Sequence, residues 1–273
     1  MLGRLAAIAA LAPTLAFGQE RMPSHCIAVA EAPGVEFVHQ ASYGAPLADW
    51  TVRLSYVDHA MVMIETPAGV RAVTDYAGFI GQTLLPDIVT MNRAHISHWT
   101  PDPDPGIAHV LPGWSDTVGE PADHWIEVGD TVVRSVSTDI RSGGALGREE
   151  NGNSIFVFEV AGLCIGHLGH LHHEPTDEQY AALGRLDVVM APVDGGLTMD
   201  LPTMIRTLET LRAGVVIPVH WFGRTSLERF LAGMSADFAV ERPGGNHWEV
   251  SLDTLPRQPT IVVLQPAFLR DPE

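Results

Sequence analysis

The sequence predicts an α/β fold of two sheets with helices outside them, and three observations carry the prediction. Residues 50–160 are mostly short apolar runs of strand length separated by turn signals. Residues 163–233 instead alternate strand-like runs with helical patterns. With 273 residues, 46% of them hydrophobic, the chain can bury a sizeable core, and one large domain over residues 50–273 accommodates it.

Taken in order, residues 52–57, 59–65 and 70–74 read as a hairpin or meander, with Pro67-Ala-Gly69 as a turn. His59 follows Asp58 between the first two runs, and Asp75 directly follows the third. Asp75 could orient a ligand histidine, although capping a turn is the commoner role of such an acid. Residues 88–91 form a buried strand, and residues 100–121 are loop-like. Trp99, Trp114 and Trp221 could wall a pocket, though a buried tryptophan more often belongs to a core. Strands follow at residues 125–128, 131–138 and 154–160, interrupted by a Gly-rich loop over residues 141–153. That loop has no G-x-G-x-x-G between strand and helix, so no dinucleotide fingerprint is present. Beyond a strand at 163–166, Thr176-x-x-Gln179 is a capping box opening a helix to about Leu183. Asp200 caps a helix carrying Met204, Ile205, Leu208 and Leu211 on one face and stopping at Gly214. Thr225-x-x-Glu228 starts another, and residues 187–191 and 215–219 are strands.

Three apolar runs end in histidine. Residues 88–91 lead into Arg93, His95, Ser97 and His98; residues 163–166 into His167, His170, His172 and His173; residues 215–219 into His220. If those strands share a sheet and a direction, their ends lie along one edge, where ligands distant in sequence can meet on a metal ion.

The net charge of −17, with sixteen Arg and no Lys, argues against nucleic acid or an anionic membrane surface as partner. Schiff-base and P-loop chemistry, which need lysine, drop out as well. Residues 1–18 resemble a secretory signal: Arg4, an apolar stretch over residues 5–17, and a small-x-small site at Ala16-Phe-Gly18. The stretch is shorter than the roughly 20 residues of a spanning helix. An exported, periplasmic protein with no membrane insertion after signal removal is expected, residues 19–49 forming an N-terminal extension. An oxidising compartment would let Cys26 and Cys164 pair; alternatively Cys164 is a small buried hydrophobe.

The order and spacing of several blocks resemble the metallo-β-lactamase superfamily, most closely its ascorbate-6-phosphate-lactonase-like branch. The blocks are Tyr56-Val-Asp-His59-Ala60, residues 64–70, Asp75, Arg93-Ala-His95-Ile-Ser97-His98, residues 167–173, residues 187–196, Thr198-Met-Asp200 and Ile217-Pro-Val-His220. The resemblance implies an αββα four-layer sandwich with a metal site at one edge of the paired sheets. Departures accompany it. Where the family carries H-x-H-x-D-H, this chain has Arg93, His95, Ser97 and His98; Thr138 stands at a further family histidine; His170 replaces a metal-bridging aspartate, with His173 at that block's last histidine; His220 matches the final ligand.

By family roles, His98, His170 and His220 would hold one divalent ion, zinc by ligand chemistry, with His95 the remnant of a second position. A dication about 4 Å from the Arg93 guanidinium would meet a repulsion of roughly 8 kcal/mol at an effective dielectric near 20. Arg93 would then replace the lost charge and orient an anion. His59, Asp75, Ser97, Thr138, His173, Trp99 and Trp221 are the expected surroundings. Three functions fit. The first is a mononuclear metallohydrolase acting on an ester, lactone or phosphoester, with His95 as proton acceptor. The second is a divergent member that binds a metal or small ligand without turnover. In the third the histidines are ordinary polar residues.

Overall fold

A computed structural model describes residues 24–27, 46–141 and 147–270. The predicted signal, residues 1–18, and most of the predicted extension lie outside the described residues.

The strand-rich first half forms β1 (Val52–Asp58), β2 (Met61–Glu65), β3 (Arg71–Val73), β4 (Gly81–Gln82), β5 (Ile88–Met91) and β6 (His109–Pro112), followed by β7 (Trp125–Val128), β8 (Thr131–Arg141), β9 (Arg148–Val160) and β10 (Leu163–His167). Helices then alternate with strands: α1 (Asp177–Leu183), β11 (Val188–Pro192), α2 (Leu201–Leu211), β12 (Val215–Val219) and α3 (Arg224–Met234). The chain closes with β13 (Ala239–Glu241), β14 (His247–Val250), β15 (Thr260–Val262) and β16 (Leu269–Arg270).

Two sheets carry the fold. One has the order β14-β1-β2-β3-β5-β6 and the other β13-β15-β12-β11-β10-β9-β8-β7. Period-two alternation decides what each strand touches. Val189, Ala191, Ile155 and Val157 pack under the helices with Met204, Leu208, Leu227 and Phe230. Their neighbours Val188, Met190, Phe156 and Phe158 point the other way, onto Leu54, Tyr56, Ile64 and Ile88 of the first sheet. Each such large side chain, fully buried, contributes about 1.5–3 kcal/mol. Both faces of the second sheet are covered, which is why its strands are continuous apolar runs.

The sandwich of two sheets with helices outside is present. Its fourth layer differs in substance, because among the described residues the outer face of the first sheet is covered by loops. Val73, Val89 and Met91 meet Tyr76, Ile80 and Ile107, with Leu269 of the small β4–β16 pair. Trp99 and Trp114 join this third core, their ring centroids 5.9 Å apart, so these two serve packing and not a pocket wall. Trp221 packs against both other cores.

Several local expectations are corrected. Residues 100–121 contain β6, which pairs in parallel with β5 and hides its apolar residues among Pro and Gly. The Gly-rich loop is much shorter than residues 141–153, since β8 and β9 extend as a hairpin to Arg141 and from Arg148. Thr225 does not cap its helix: α3 begins at Arg224 behind Gly223, with no side-chain cap. The capping box of Thr176 and Gln179 and the Asp200 cap form as expected.

Cys26 and Cys164 form a disulfide with a Cα–Cα distance of 5.8 Å, which ties residues 24–27 to β10. The same segment is held by Glu159, whose carboxylate accepts from Ser24 Oγ (2.5 Å) and from the backbone N–H of His25 (3.1 Å). Glu159 also accepts from Arg134 Nε at 2.7 Å, and that guanidinium donates to the carbonyls of Ala182 and Leu183 at the end of α1. In the first sheet the buried Arg53 lies between Glu65 (3.2 Å) and Glu249 (2.7 Å), so its charge is matched inside the fold.

Candidate metal centre

The histidines meet where strands of both sheets end. The chain turns after β5 to carry His95 and His98, ends β10 on His167 and turns to carry His170, and turns after β12 to carry His220, while His59 occupies the β1–β2 turn. The expectation that the three strands share one sheet is corrected: β5 lies in the first sheet, β10 and β12 in the second. The rings converge across the open edge of the sandwich.

Ligand nitrogens of His59, His95, His98 and His220 all lie within 4.8 Å of one another. His98 Nε2 is 3.1 Å from His59 Nε2 and 3.1 Å from His220 Nε2. His170 stands beside this group and not in it, its ring centroid 4.7 Å from that of His98 and both its buried nitrogens without a hydrogen-bond partner. His59, expected among the surroundings, therefore takes the place in the group that the resemblance implied for His170.

Two buried carboxylates fix the rings. Asp75 Oδ2 is 2.5 Å from His98 Nδ1, and Asp75 Oδ1 accepts from Asn92 Nδ2 at 2.8 Å. Asp75 thus orients a histidine, the less common of the two roles considered for it. Asp194 Oδ2 lies 2.9 Å from His220 Nδ1. An ionised carboxylate only accepts, so Nδ1 of His98 carries the proton and its Nε2 presents a lone pair. Asp194 faces His220 Nδ1 at ion-pair distance but off the line of a well-formed hydrogen bond. Tetrahedral zinc with Zn–N bonds near 2.0–2.1 Å sets its ligand nitrogens roughly 3.3 Å apart, so the donor set and its spacing fit such an ion.

The protonation behaviour agrees. Burial, reinforced by His220 and His95, pushes His98 down to about 2, and burial with His220 and His98 pushes His59 down to about 3. His170 is lowered too, by burial and then His98, and His95 in the same sense by burial and His220. Asp194 would be raised by its burial, but the His220 ring beside it and hydrogen bonds from Thr198 and Gly196 hold it well below the ordinary carboxylate range. Burial pushes Asp75 up, opposed by His167 and Asn92. A dication on the far side of the His98 ring favours its ionised form.

His95 differs from the locked rings. Its Nδ1 is 2.6 Å from Ser97 Oγ, a hydroxyl that can donate or accept, so this more exposed ring can change tautomer. Arg93 is corrected. It pairs with Glu149 at 3.3 Å, 46% exposed, and its charge is neutralised there instead of filling a lost metal position. Thr138 accepts from Asn153 Nδ2 at 2.8 Å, and Asn153 Oδ1 accepts from the His170 N–H at 2.8 Å, so Thr138 supports the His170 loop indirectly. His173 has no ring contact with the four-histidine group; its Nε2 is buried and unpaired, and its ring neighbours His172 at 6.5 Å. His167 is a buried strut, its Nε2 donating to the Ala60 carbonyl at 3.0 Å.

Asp194, Asn92, Asn153 and Phe222 escaped the sequence reading. Asp194 had a signal, an acid after an apolar strand and before Gly-Gly, which matches the placing of Asp75. The two asparagines had none, because Asn92 acts by bridging the two sheets and Asn153 by bracing the loop after β10. Asn92 Oδ1 accepts from the Ser154 N–H at 2.8 Å, and a Cβ on Gly169 (φ +61°) would lie 2.3 Å from Asn92 Nδ2. Only glycine fits between them. Three non-glycine residues here, His59, Asp75 and His220, hold left-handed φ values of 49°, 44° and 56°. Such strain persists where surrounding bonds over-determine the backbone. The His59 carbonyl, for example, accepts from both the His220 N–H and Tyr56 Oη at 2.7 Å.

The sequence profile of a family described as a beta-lactamase superfamily domain matches residues 53–220, more than half of the chain. No curated protein matches the sequence. Among solved structures, a candidate zinc-dependent hydrolase of the metallo-β-lactamase superfamily from Thermotoga maritima is similar at TM-score 0.54 and 23% identity, over 78% of this chain and 98% of that one. A candidate metal-dependent hydrolase from Parabacteroides distasonis is similar at TM-score 0.51 and 11% identity, over 67% and 88%. Another from Veillonella parvula is similar at TM-score 0.51 and 12% identity, over 74% and 100%. At these identities the likeness is one of fold.

Proposed function

Because the chain belongs to the beta-lactamase superfamily, we propose that it is an exported metal-dependent hydrolase that holds one divalent ion, zinc by ligand chemistry, and cleaves an ester or lactone. The observation that carries this reading is the convergence of the His98, His220 and His59 Nε2 atoms at 3.1 Å, with carboxylates behind two of the rings. A divalent ion held there would acidify a water and polarise a carbonyl.

The residues of the chain divide the remaining work. His59, His98 and His220 would hold the ion; Asp75 keeps His98 in the donating tautomer, and Asp194 sets its charge beside His220. His95, free to exchange tautomers against Ser97, takes the proton from the attacking water and passes it to the leaving oxygen. One ion per chain is the stoichiometry this donor group favours: its four converging ligand nitrogens lie within 4.8 Å of one another, and the nearby carboxylates face the rings from behind. The likeness to the ascorbate-6-phosphate-lactonase-like branch favours an ester or lactone. Export is supported by the signal-like N-terminus and by the Cys26–Cys164 pairing, which persists in oxidising compartments. Nucleic acid is not expected as a partner of so acidic a chain.

The same all-imidazole donor set would also suit a protein that stores or senses metal without turnover. Elemental analysis of untagged protein, combined with turnover of simple esters and lactones by the loaded protein, separates the two. Near one zinc per chain with chelator-sensitive hydrolysis is expected. Metal without turnover would favour the binding role, and two tightly held ions would overturn the stoichiometry. Mass spectrometry of secreted protein should find an N-terminus near Gln19.

A further inference from the structure

Three large apolar side chains remain in water around the histidine cluster, each on a different loop and each tied to the cluster. Phe222, 64% exposed, follows β12, its ring centroid 5.3 Å from that of His59 and 5.1 Å from that of His220. Ile96, 76% exposed, sits between His95 and Ser97 in a turn closed by the His98 N–H on the His95 carbonyl at 2.8 Å. Leu197, 60% exposed, follows β11. Its N–H donates to Asp194 Oδ1 at 2.6 Å, and its carbonyl accepts from His172 Nε2 at 3.1 Å. Scattered apolar residues on a surface are ordinary, but three held by their backbones around one polar cluster form a patch with a place in the chemistry.

Three arginines near this mouth already have partners. Arg93 pairs with Glu149, Arg148 with Asp139, and the Arg141 guanidinium donates to the carbonyls of Gly196, Leu197 and Thr198. Asp194 is consumed by His220 and by the N–H groups of its own loop. Arg224, exposed at the start of α3 and two residues beyond Phe222, keeps its charge in water, and the apolar surface beside it awaits covering.

Building on the hydrolase reading, we infer that Phe222, Ile96 and Leu197 seat an apolar chain carried by the ester or lactone substrate. In the reaction the oxygen of water bonds to the acyl carbon, the acyl C–O bond breaks, and the leaving oxygen takes the proton. The products are a carboxylic acid and an alcohol. Burying each methylene on the rim strengthens binding.

The test uses the zinc-loaded full chain with esters of one alcohol whose acyl groups run from two to ten carbons, beside a phosphodiester. A second readout, independent of turnover, is quenching of tryptophan fluorescence by acetate, hexanoate and decanoate, since Trp221 adjoins Phe222. Specificity should rise at least tenfold across the acyl series, decanoate should bind at least tenfold tighter than acetate, and the phosphodiester should be spared. Phe222→Ala and Ile96→Ser, both at exposed positions, should each flatten the two series. Chain-dependent binding without turnover would sink the hydrolase reading and leave the apolar seat standing. Turnover indifferent to chain length, preference for the phosphodiester, series unaltered in both variants, or sedimentation of the protein with phosphatidylcholine vesicles would overturn the apolar seat.

Discussion

Asp75 and His98 are both fully buried and meet at 2.5 Å, carboxylate oxygen to Nδ1, at the inner end of the histidine cluster. The contact sets the tautomer of His98 and aims its Nε2 at the Nε2 atoms of His59 and His220. Asp75→Asn keeps the shape but turns an acceptor into a donor facing an N–H. The ring must then expose a protonated Nε2. Zinc affinity should fall about 10- to 100-fold in competition with a chromogenic chelator, with circular dichroism unchanged. Unaltered affinity would show that His98 is not a ligand.

The ligand set can be tested by deletion. His220→Ala removes one of the nitrogens converging on His98 and should abolish tight metal binding. His170→Ala removes a ring beside the group and should leave close to one zinc per chain. If His170→Ala also loses the ion, the site is the His98, His170 and His220 set that the family roles implied; metal retained in His220→Ala would remove His220 from the ligands.

Acid should weaken the metal-free protein. Unfolded imidazoles titrate near 6.5, but His59 and His98 in the fold resist protonation down to about 3 and about 2. Between those limits the unfolded chain binds more protons, so the unfolding free energy falls as the pH drops below about 6.5. Asp194, depressed in the fold, adds stability that is lost in the same direction at lower pH; Asp75, raised by burial, opposes both. Chelator-treated protein should show a lower urea midpoint at pH 5 than at pH 7.5. An equal or higher midpoint at pH 5 contradicts the neutral-ring description.

Arg93→Ala should leave metal content unaltered and change stability by less than about 1 kcal/mol, since the residue forms an exposed pair with Glu149. Loss of the ion in this variant would restore Arg93 to the site.

The Cys26–Cys164 bond closes a loop with a sequence separation of 138. In the chain-entropy account its loss costs on the order of 4 to 5 kcal/mol. Replacing both cysteines by alanine should lower the melting temperature markedly, and reductant should then have no further effect. A variant as stable as the native protein would mean that residues 24–27 are held by Glu159 alone.

The sequence by itself determined the elements and the inventory of the site. Strand runs, the Thr176 and Asp200 caps and the histidines after β5, β10 and β12 were legible because periodicity and termination are local properties of the chain. What only the tertiary structure decided was which ends face one another. β6 was hidden because its strand character comes from pairing with β5, not from its own residues, and the outer cover of the first sheet depends on loops that carry no period. The choice of His59 over His170 and the pairing of Arg93 with Glu149 rest on side-chain directions across a gap between two sheets, and the carboxylate of Asp194 behind His220 on the pairing of β11 with β12. Residues from 39 positions apart, as His59 and His98, to 122 apart, as His98 and His220, meet there. No spacing along the sequence encodes that meeting, which the packing of the two sheets imposes.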